Sequence, residues 1–282
     1  MRQRVGGLFG AALAISIALT GAAEAAARCR NTGSFERWME GFKQEAAAKG
    51  ISRQAISAAL DGVTFDPNII RRDSGQGVFQ QSFQQFAGRM TGGGRYENGV
   101  RQLKANAALL ARIEQQFGVP GSVVIAIWGL ETDFGTNLGK KDVIRSVATL
   151  AFDCRRTDMF QAQLMDALRI VERGDLRPAE MLGDWAGDFG QNQFLPSAYY
   201  KYSVDFDGDG RRDLVHSVPD VLASTANYLK GYGWQPGQRW NEGDPNFEAI
   251  RGWNKAMVYA KTVAAFAERL DGGAARAEDT KR

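Results

Sequence analysis

Apolar residues recur along this chain at the three- and four-residue spacing of helices, and alternating strand patterns are scarce. Over residues 34–60, Phe35, Trp38, Met39 and Phe42, followed by Ile51, Ile56 and Leu60, predict a helical stretch with its apolar residues in the core. Asp66-Pro67-Asn68 reads as a turn. Val78, Phe79, Phe83 and Phe86 form another amphipathic segment among glutamines, and Thr91-Gly92-Gly93-Gly94 breaks it. Residues 96–117 are helical again, carrying Leu103, Leu109, Leu110 and Ile113, and Gly118-Val119-Pro120 ends them. Residues 143–152 and 159–171 predict two more helices, the second with Phe160, Leu164, Leu168 and Val171 on one face. Residues 183–217 are loop-rich. A helix over 219–229 has Ser217 near its cap, and the last helix, over 253–270, places Met257, Val263 and Phe266 inside. The pattern predicts a mainly α chain without internal repeats.

One stretch is apolar almost throughout: residues 123–135, which end in Glu131-Thr132-Asp133-Phe134-Gly135. As a helix it places Val124, Ile127, Trp128 and Glu131 on one face. A carboxyl among aliphatic and indole groups is poorly solvated, so its pKa rises, and an acid kept protonated near neutral pH can donate a proton. A buried helix whose Glu131 merely reaches water at its end fits the same pattern. Asp133 reads as a polar residue at the helix end.

The chain has 282 residues, enough for one large domain or two small ones, and a net charge of +3. Residues 1–27 read as a cleaved signal peptide, with Arg2 and Arg4 ahead of an apolar run short for a membrane span; an uncleaved anchor is the alternative. Removing it, with Arg2, Arg4 and Glu24, lowers the charge by one. A balance so small, with interspersed charges and no basic run, argues against a nucleic-acid partner. Arg28 precedes Cys29, where a lipid-attachment signal needs a small residue, so the expected location is the periplasm, without a lipid anchor. Cys29 and Cys154 are the two cysteines; in an oxidising compartment they read as one disulfide, with two free thiols as the alternative.

Two further stretches carry chemistry. Asp205-Phe206-Asp207-Gly208-Asp209-Gly210-Arg211-Arg212-Asp213 has carboxylates at positions 1, 3, 5 and 9 and glycine at 6, like the start of an EF-hand calcium loop. Asp205, Asp207, Asp209, the Arg211 carbonyl and Asp213 are the expected ligands. Position 12 is His216 rather than glutamate, and 199–204 is a poor entering helix; a solvated acidic turn is the alternative. Residues 183–197, rich in Gly, Gln, Asn and aromatics, suit a sugar-binding groove but also an ordinary loop.

Together, residues 131–135, 185–197, 204–210, Ala226-Asn227-Tyr228-Leu229 and Gly233-Trp234 resemble, in order and spacing, the B-type lytic murein transglycosylases, over about residues 30–270. The resemblance implies a lysozyme-like α-helical fold with a small EF-hand-like calcium-loop insertion. The expected parts are an N-terminal helical part over 28–117 and a catalytic part over 118–270 with the calcium loop at 205–216; the charged, small residues 271–282 read as a disordered tail. It implies non-hydrolytic cleavage of the β-1,4 bond between N-acetylmuramic acid and N-acetylglucosamine in peptidoglycan, giving 1,6-anhydromuramyl products. Glu131 is the implied acid, Gln193 and Asn254 are substrate-binding, and Tyr228 is the tyrosine beside the catalytic carboxyl; a tyrosine packing the core is the alternative for Tyr228. Calcium is the implied structural ion, with no organic cofactor. Glycan strands, and proteins of cell-wall synthesis or remodelling, are the expected partners of a monomer. Asp188 and Phe189 depart from the family's usual Ala and Met, Leu195 from its Met, and Trp253 from a common Tyr. A hydrolytic muramidase and a non-catalytic, calcium-dependent peptidoglycan-binding protein are the other functions these residues would serve.

Overall fold

The computed structural model of the protein describes residues 33–75 and 81–279. Among them are thirteen α-helices and one two-stranded sheet. The sequence places a side chain that can accept a backbone N–H just before many of these helices. Ser34 opens α1 (Phe35–Ala48), Ser52 opens α2 (Arg53–Leu60), and Asp66 opens α3 (Pro67–Ser74). The expected turn at 66–68 is thus a helix start: Pro at the first helical position, after an Asp cap, carries both signals. Ser82 forms a capping box with Gln85 at α4 (Phe83–Thr91). The expected single helix over 96–117 is two, α5 (Arg95–Ala105) and α6 (Ala107–Phe117), because the Asn106 amide group turns back to the Gln102 carbonyl.

The next helix, α7 (Gly121–Thr132), has ten of its residues buried, from Ser122 to Thr132 with Glu131 excepted. A helix apolar on every side can only sit at the centre of a bundle. It packs on α5, on α6, on α11 (Val218–Gly231) and most extensively on α13 (Met257–Asp279). Strand β1 (Lys141–Asp142) pairs antiparallel with β2 (Leu182–Gly183). Between them lie α8 (Val143–Phe152) and α9 (Thr157–Glu172), which pack on each other. The rings of Phe35, Phe65 and Phe152 meet at 5.5–5.9 Å, tying α1 to α8. Among the described residues one hydrophobic cluster therefore runs from Phe35 to Leu270, across residue 117.

Two short helices complete the chain, α10 (Pro196–Tyr202) and α12 (Phe247–Trp253). The expected last helix breaks at 254–256, so Trp253 ends α12, and Met257, expected inside, is exposed at the start of α13. Helix α13 continues to Asp279, into the stretch expected to be a disordered tail, as its Ala-rich composition favours. Cys154 is disulfide-bonded; its expected partner Cys29, the signal segment 1–27, and Val78 and Phe79 lie outside the described residues.

Candidate active site

Glu131 lies on the last turn of α7. After Thr132 the backbone turns left-handed at Asp133, Phe134 and Gly135, with φ of 52°, 59° and 81°. That turn is held on three sides. Arg95 Nε donates to Asp133 Oδ1 at 3.1 Å. The Phe134 ring stands edge-on to Trp128 and packs so tightly on Gly129 that a Cβ there would meet it at 2.7 Å. Thr132 Oγ1 donates to the Gln191 carbonyl at 2.9 Å and accepts from the Gly135 amide. Gln191 is the node of the region: its Oε1 accepts from Trp128 Nε1, its Nε2 donates to the Val215 carbonyl, and its amide donates to the Leu214 carbonyl. It joins the end of α7 to the segment that follows the acidic loop. Nothing in its sequence neighbourhood distinguished Gln191 from Gln193.

The Glu131 carboxyl takes two hydrogen bonds on Oε1, from Trp253 Nε1 at 2.7 Å and from the Tyr259 hydroxyl. Burial pushes its pKa up to about 7; the bonds from Tyr259 and Trp253 pull it down, and the nearby charge of Asp188 adds to the rise. The buried Tyr259 hydroxyl is itself held well above the usual tyrosine range by burial and by Glu131. Tyr228, expected beside the carboxyl, instead donates its hydroxyl to the Gly252 carbonyl at 3.0 Å. Its ring stands edge-on to Trp253 with centroids 4.8 Å apart, so it supports the indole that touches Glu131. Asn254, expected to bind substrate, turns its Oδ1 to the Ala256 amide and shapes the break between α12 and α13.

Residues 184–194 form a tight hairpin. Phe189 and Phe194 exchange both backbone hydrogen bonds at 3.0 Å, and the Asp184 amide donates to the Asp188 carbonyl at 2.8 Å. Gln193 adopts φ of 51°, and its Nε2 donates to the Leu138 and Gly190 carbonyls. A cavity of about 360 Å³ opens between this hairpin and the aromatic residues of α11 and α12, lined by Asp188, Gln193, Phe194, Tyr202, Tyr228 and Trp253 among others. Such walls, apolar faces with a few polar groups, suit a sugar ring. Burial pushes the Asp188 carboxyl up to about 6, and Asp184 adds to the rise.

The acidic loop joins α10 to α11. Oxygens of Asp205, Asp207 and Asp209 come within 4.8 Å of one another. Each carboxylate also accepts from a loop amide: Asp205 from Gly208 and Gly210, Asp207 from Asp209, Asp209 from Arg211. The expected ligand Asp213 lies outside this cluster, because its carboxylate accepts the amides of Val215 and His216. Arg211 sends its guanidinium to the Asp175 carbonyl. Asp220, fully buried on α11, accepts the amides of Phe206, Asp207 and Asp213 and holds the loop from beneath. Sequence reasoning passed over it because it reads as an ordinary first-turn acid. A cluster of three carboxylates offering only hard oxygens fits calcium.

The family model of the transglycosylase SLT domain matches residues 34–243. The membrane-bound lytic murein transglycosylase B of Escherichia coli (strain K12) is 37% identical over 144 residues, which are 51% of this chain and 40% of that protein. The chain thus spans well under half the length of that relative. SltB3 from Pseudomonas aeruginosa, solved in complex with NAG-anhNAM-pentapeptide, superposes with a TM-score of 0.80 at 33% identity, over 85% of this chain and 80% of that one. The Escherichia coli lytic transglycosylase Slt35, solved in complex with calcium, shares the fold with a TM-score of 0.75 at 24% identity, over 88% of this chain and 95% of its own.

Proposed function

The chain belongs to the transglycosylase SLT domain family, and on that premise we propose that it is a lytic transglycosylase of peptidoglycan. It cleaves the β-1,4 bond between N-acetylmuramic acid and N-acetylglucosamine without consuming water. The observation that carries this is the Glu131 carboxyl, half-buried between Trp253 and Tyr259 with its pKa near 7 and beside an aromatic cavity of about one sugar's size. Protonated, Glu131 gives its proton to the leaving glycosidic oxygen as the bond breaks. The muramyl centre then carries oxocarbenium-like charge, which its own N-acetyl group can stabilise. Glu131, now a carboxylate, removes the proton from the C6 hydroxyl, and that oxygen closes the 1,6-anhydro ring. The proton gained by the leaving oxygen is balanced by the one lost from C6, so the acid returns to its starting form. The anhydro-muramyl ligand bound by SltB3 supports the same product here.

Gln193 and the aromatic walls bind the glycan in this scheme. Asp205, Asp207 and Asp209 would hold a calcium ion, which supplies positive charge to an otherwise self-repelling loop and takes no part in bond cleavage. The glycan strands lie in the periplasm, where we place the mature chain; no described helix is long and apolar enough to cross a membrane. One observation favours a second reading, hydrolysis: Asp188 puts another carboxyl into the cavity that Trp253, the donor to Glu131, also lines, and glycoside hydrolases use two. Digestion of purified sacculi with mass analysis decides. A transglycosylase releases fragments one water lighter than reducing-end muramyl products, and Glu131→Gln releases none. Heavier fragments, or anhydro fragments from Glu131→Gln, overturn the assignment.

A further inference from the structure

The hairpin wall of the groove leads to a further, open cavity with a cationic lining. Gln193 Nε2 reaches the Leu138 carbonyl at 3.3 Å, and the chain then runs exposed through Gly139, Lys140 and Lys141. A Cβ on Gly139 would meet the Gly183 carbonyl at 2.2 Å, and Lys141 pairs with Gly183 in the sheet, so this run is pressed against the hairpin. From Leu138 to Lys141 the chain can span at most about 11 Å. Lys141 lines a cavity of about 440 Å³ together with Asn68, Arg71 and Arg72 of α3. Asn68 Oδ1 accepts from the Arg71 guanidinium and so directs it. Three cations gathered in one place repel unless an anion joins them. The acids of this neighbourhood are already engaged. Asp73, on α3 itself, is buried and paired with Arg155 and Arg156. Asp66 accepts the Asn68 amide and lies 3.8 Å from Arg145, and its interaction with Lys141 is longer-ranged. Asp142 accepts the Arg145 amide. Among the described residues, no carboxylate comes within the 4.0 Å of an ion pair to Arg71, Arg72 or Lys141.

We propose that the cavity formed by Asn68, Arg71, Arg72 and Lys141 binds a carboxylate of the peptide stem carried by the glycan strand in the groove. The proposal rests on the peptidoglycan reading above. A muramyl unit bears its stem through the lactyl group, and the stem has free carboxylates along its length and at its end. Extended, a stem of about five residues reaches about 17 Å, which is more than the run from Leu138 to Lys141. Each arginine presents a planar fork of N–H donors that matches a carboxylate, and the lysine adds a point charge beside them. A glycan stripped of its stems keeps only the lactyl carboxylate, which sits against the sugar ring and falls short of the cavity. The site therefore makes the protein prefer strands that still carry their peptides.

The test measures, by calorimetry, the binding of two probes to the full chain carrying Glu131→Gln: a soluble glycan oligomer with its peptide stems, and the same oligomer stripped of them by an amidase. The stem-bearing probe is expected to bind about three- to tenfold more tightly, with a preference that shrinks as salt is raised. Adding Arg71→Glu with Arg72→Glu, or Lys141→Glu by itself, brings its affinity down to that of the stripped probe. These side chains are exposed, and circular dichroism checks each fold. Arg101→Glu, at an exposed cation of α5 outside the cavity, keeps the preference and so separates a local site from overall charge. Equal binding of the two probes overturns the proposal, and so does a preference that survives all three cavity substitutions. Equal binding with anhydro products from the wild type removes this site and leaves the functional reading standing. A stem preference that the cavity variants lose, with no fragments released by the wild type, keeps the site and removes that reading.

Discussion

Glu131 sits between opposing influences. Burial and the Asp188 charge favour its protonated form, and the Tyr259 and Trp253 hydrogen bonds favour the carboxylate. Acid and base steps on one group need both, because neither form may be too stable. Tyr259→Phe removes one stabiliser of the carboxylate, so the Glu131 midpoint should rise, the alkaline limb of the rate profile should move up, and kcat should fall roughly tenfold. The same carboxyl costs stability. Its folded pKa of about 7 lies above the ordinary glutamate value of 4.5. Below pH 4.5 both states hold the proton and nothing is lost; as pH rises toward 7 the unfolded chain ionises first, and folding stability drops. Glu131→Gln should therefore be more stable than wild type by an amount that grows between those pH values, to on the order of 2 kcal/mol, measured by urea unfolding at several pH values. A gain independent of pH would mean that burial does not raise this carboxyl.

At the scale of elements, the hairpin and the acidic loop are set by contacts only glycine and buried acids can make. Gly183→Ala and Gly139→Ala each force a Cβ onto a backbone carbonyl and should lose about 2 kcal/mol or more in urea unfolding. Gly41→Ala, inside α1 with nothing within 4 Å, should gain up to about 1 kcal/mol and serves as the control. Asp220→Ala leaves three loop amides without an acceptor and should cost about 3 kcal/mol. An Asp220→Ala protein as stable as wild type would show that the loop stands without its buried support.

At the scale of the molecule, the acidic loop is tied to α11 through Asp220 and leads into the 214–215 segment that binds Gln191, so an ion bound there should stabilise the whole fold. Adding a chelator should lower the melting temperature by about 5 °C, calcium alone should restore it, and Asp207→Asn should abolish the difference. The helical architecture was legible from periodicity, because burying one face of a helix is a local demand repeated every three or four residues. So was the candidate acid, since a lone carboxyl at the end of an apolar helix is visible without knowing what covers it, and so was the acidic loop, whose alternating carboxylates and glycine lie within nine residues. The partners were not legible. Trp253 and Tyr259 lie 122 and 128 residues beyond Glu131 and reach it only because the chain breaks at 254–256 and α13 packs back on α7, with α12 held against α13 and α11. Tyr228, named by its motif, points at Gly252, while Gln191 and Asp220, named by no motif, carry the hydrogen bonds that join elements. Patterns along the chain determined which residues had to be buried and where a carboxyl stood among them. Close packing between distant helices decided which side chains meet, because that choice depends on where the chain returns and not on what lies beside each residue.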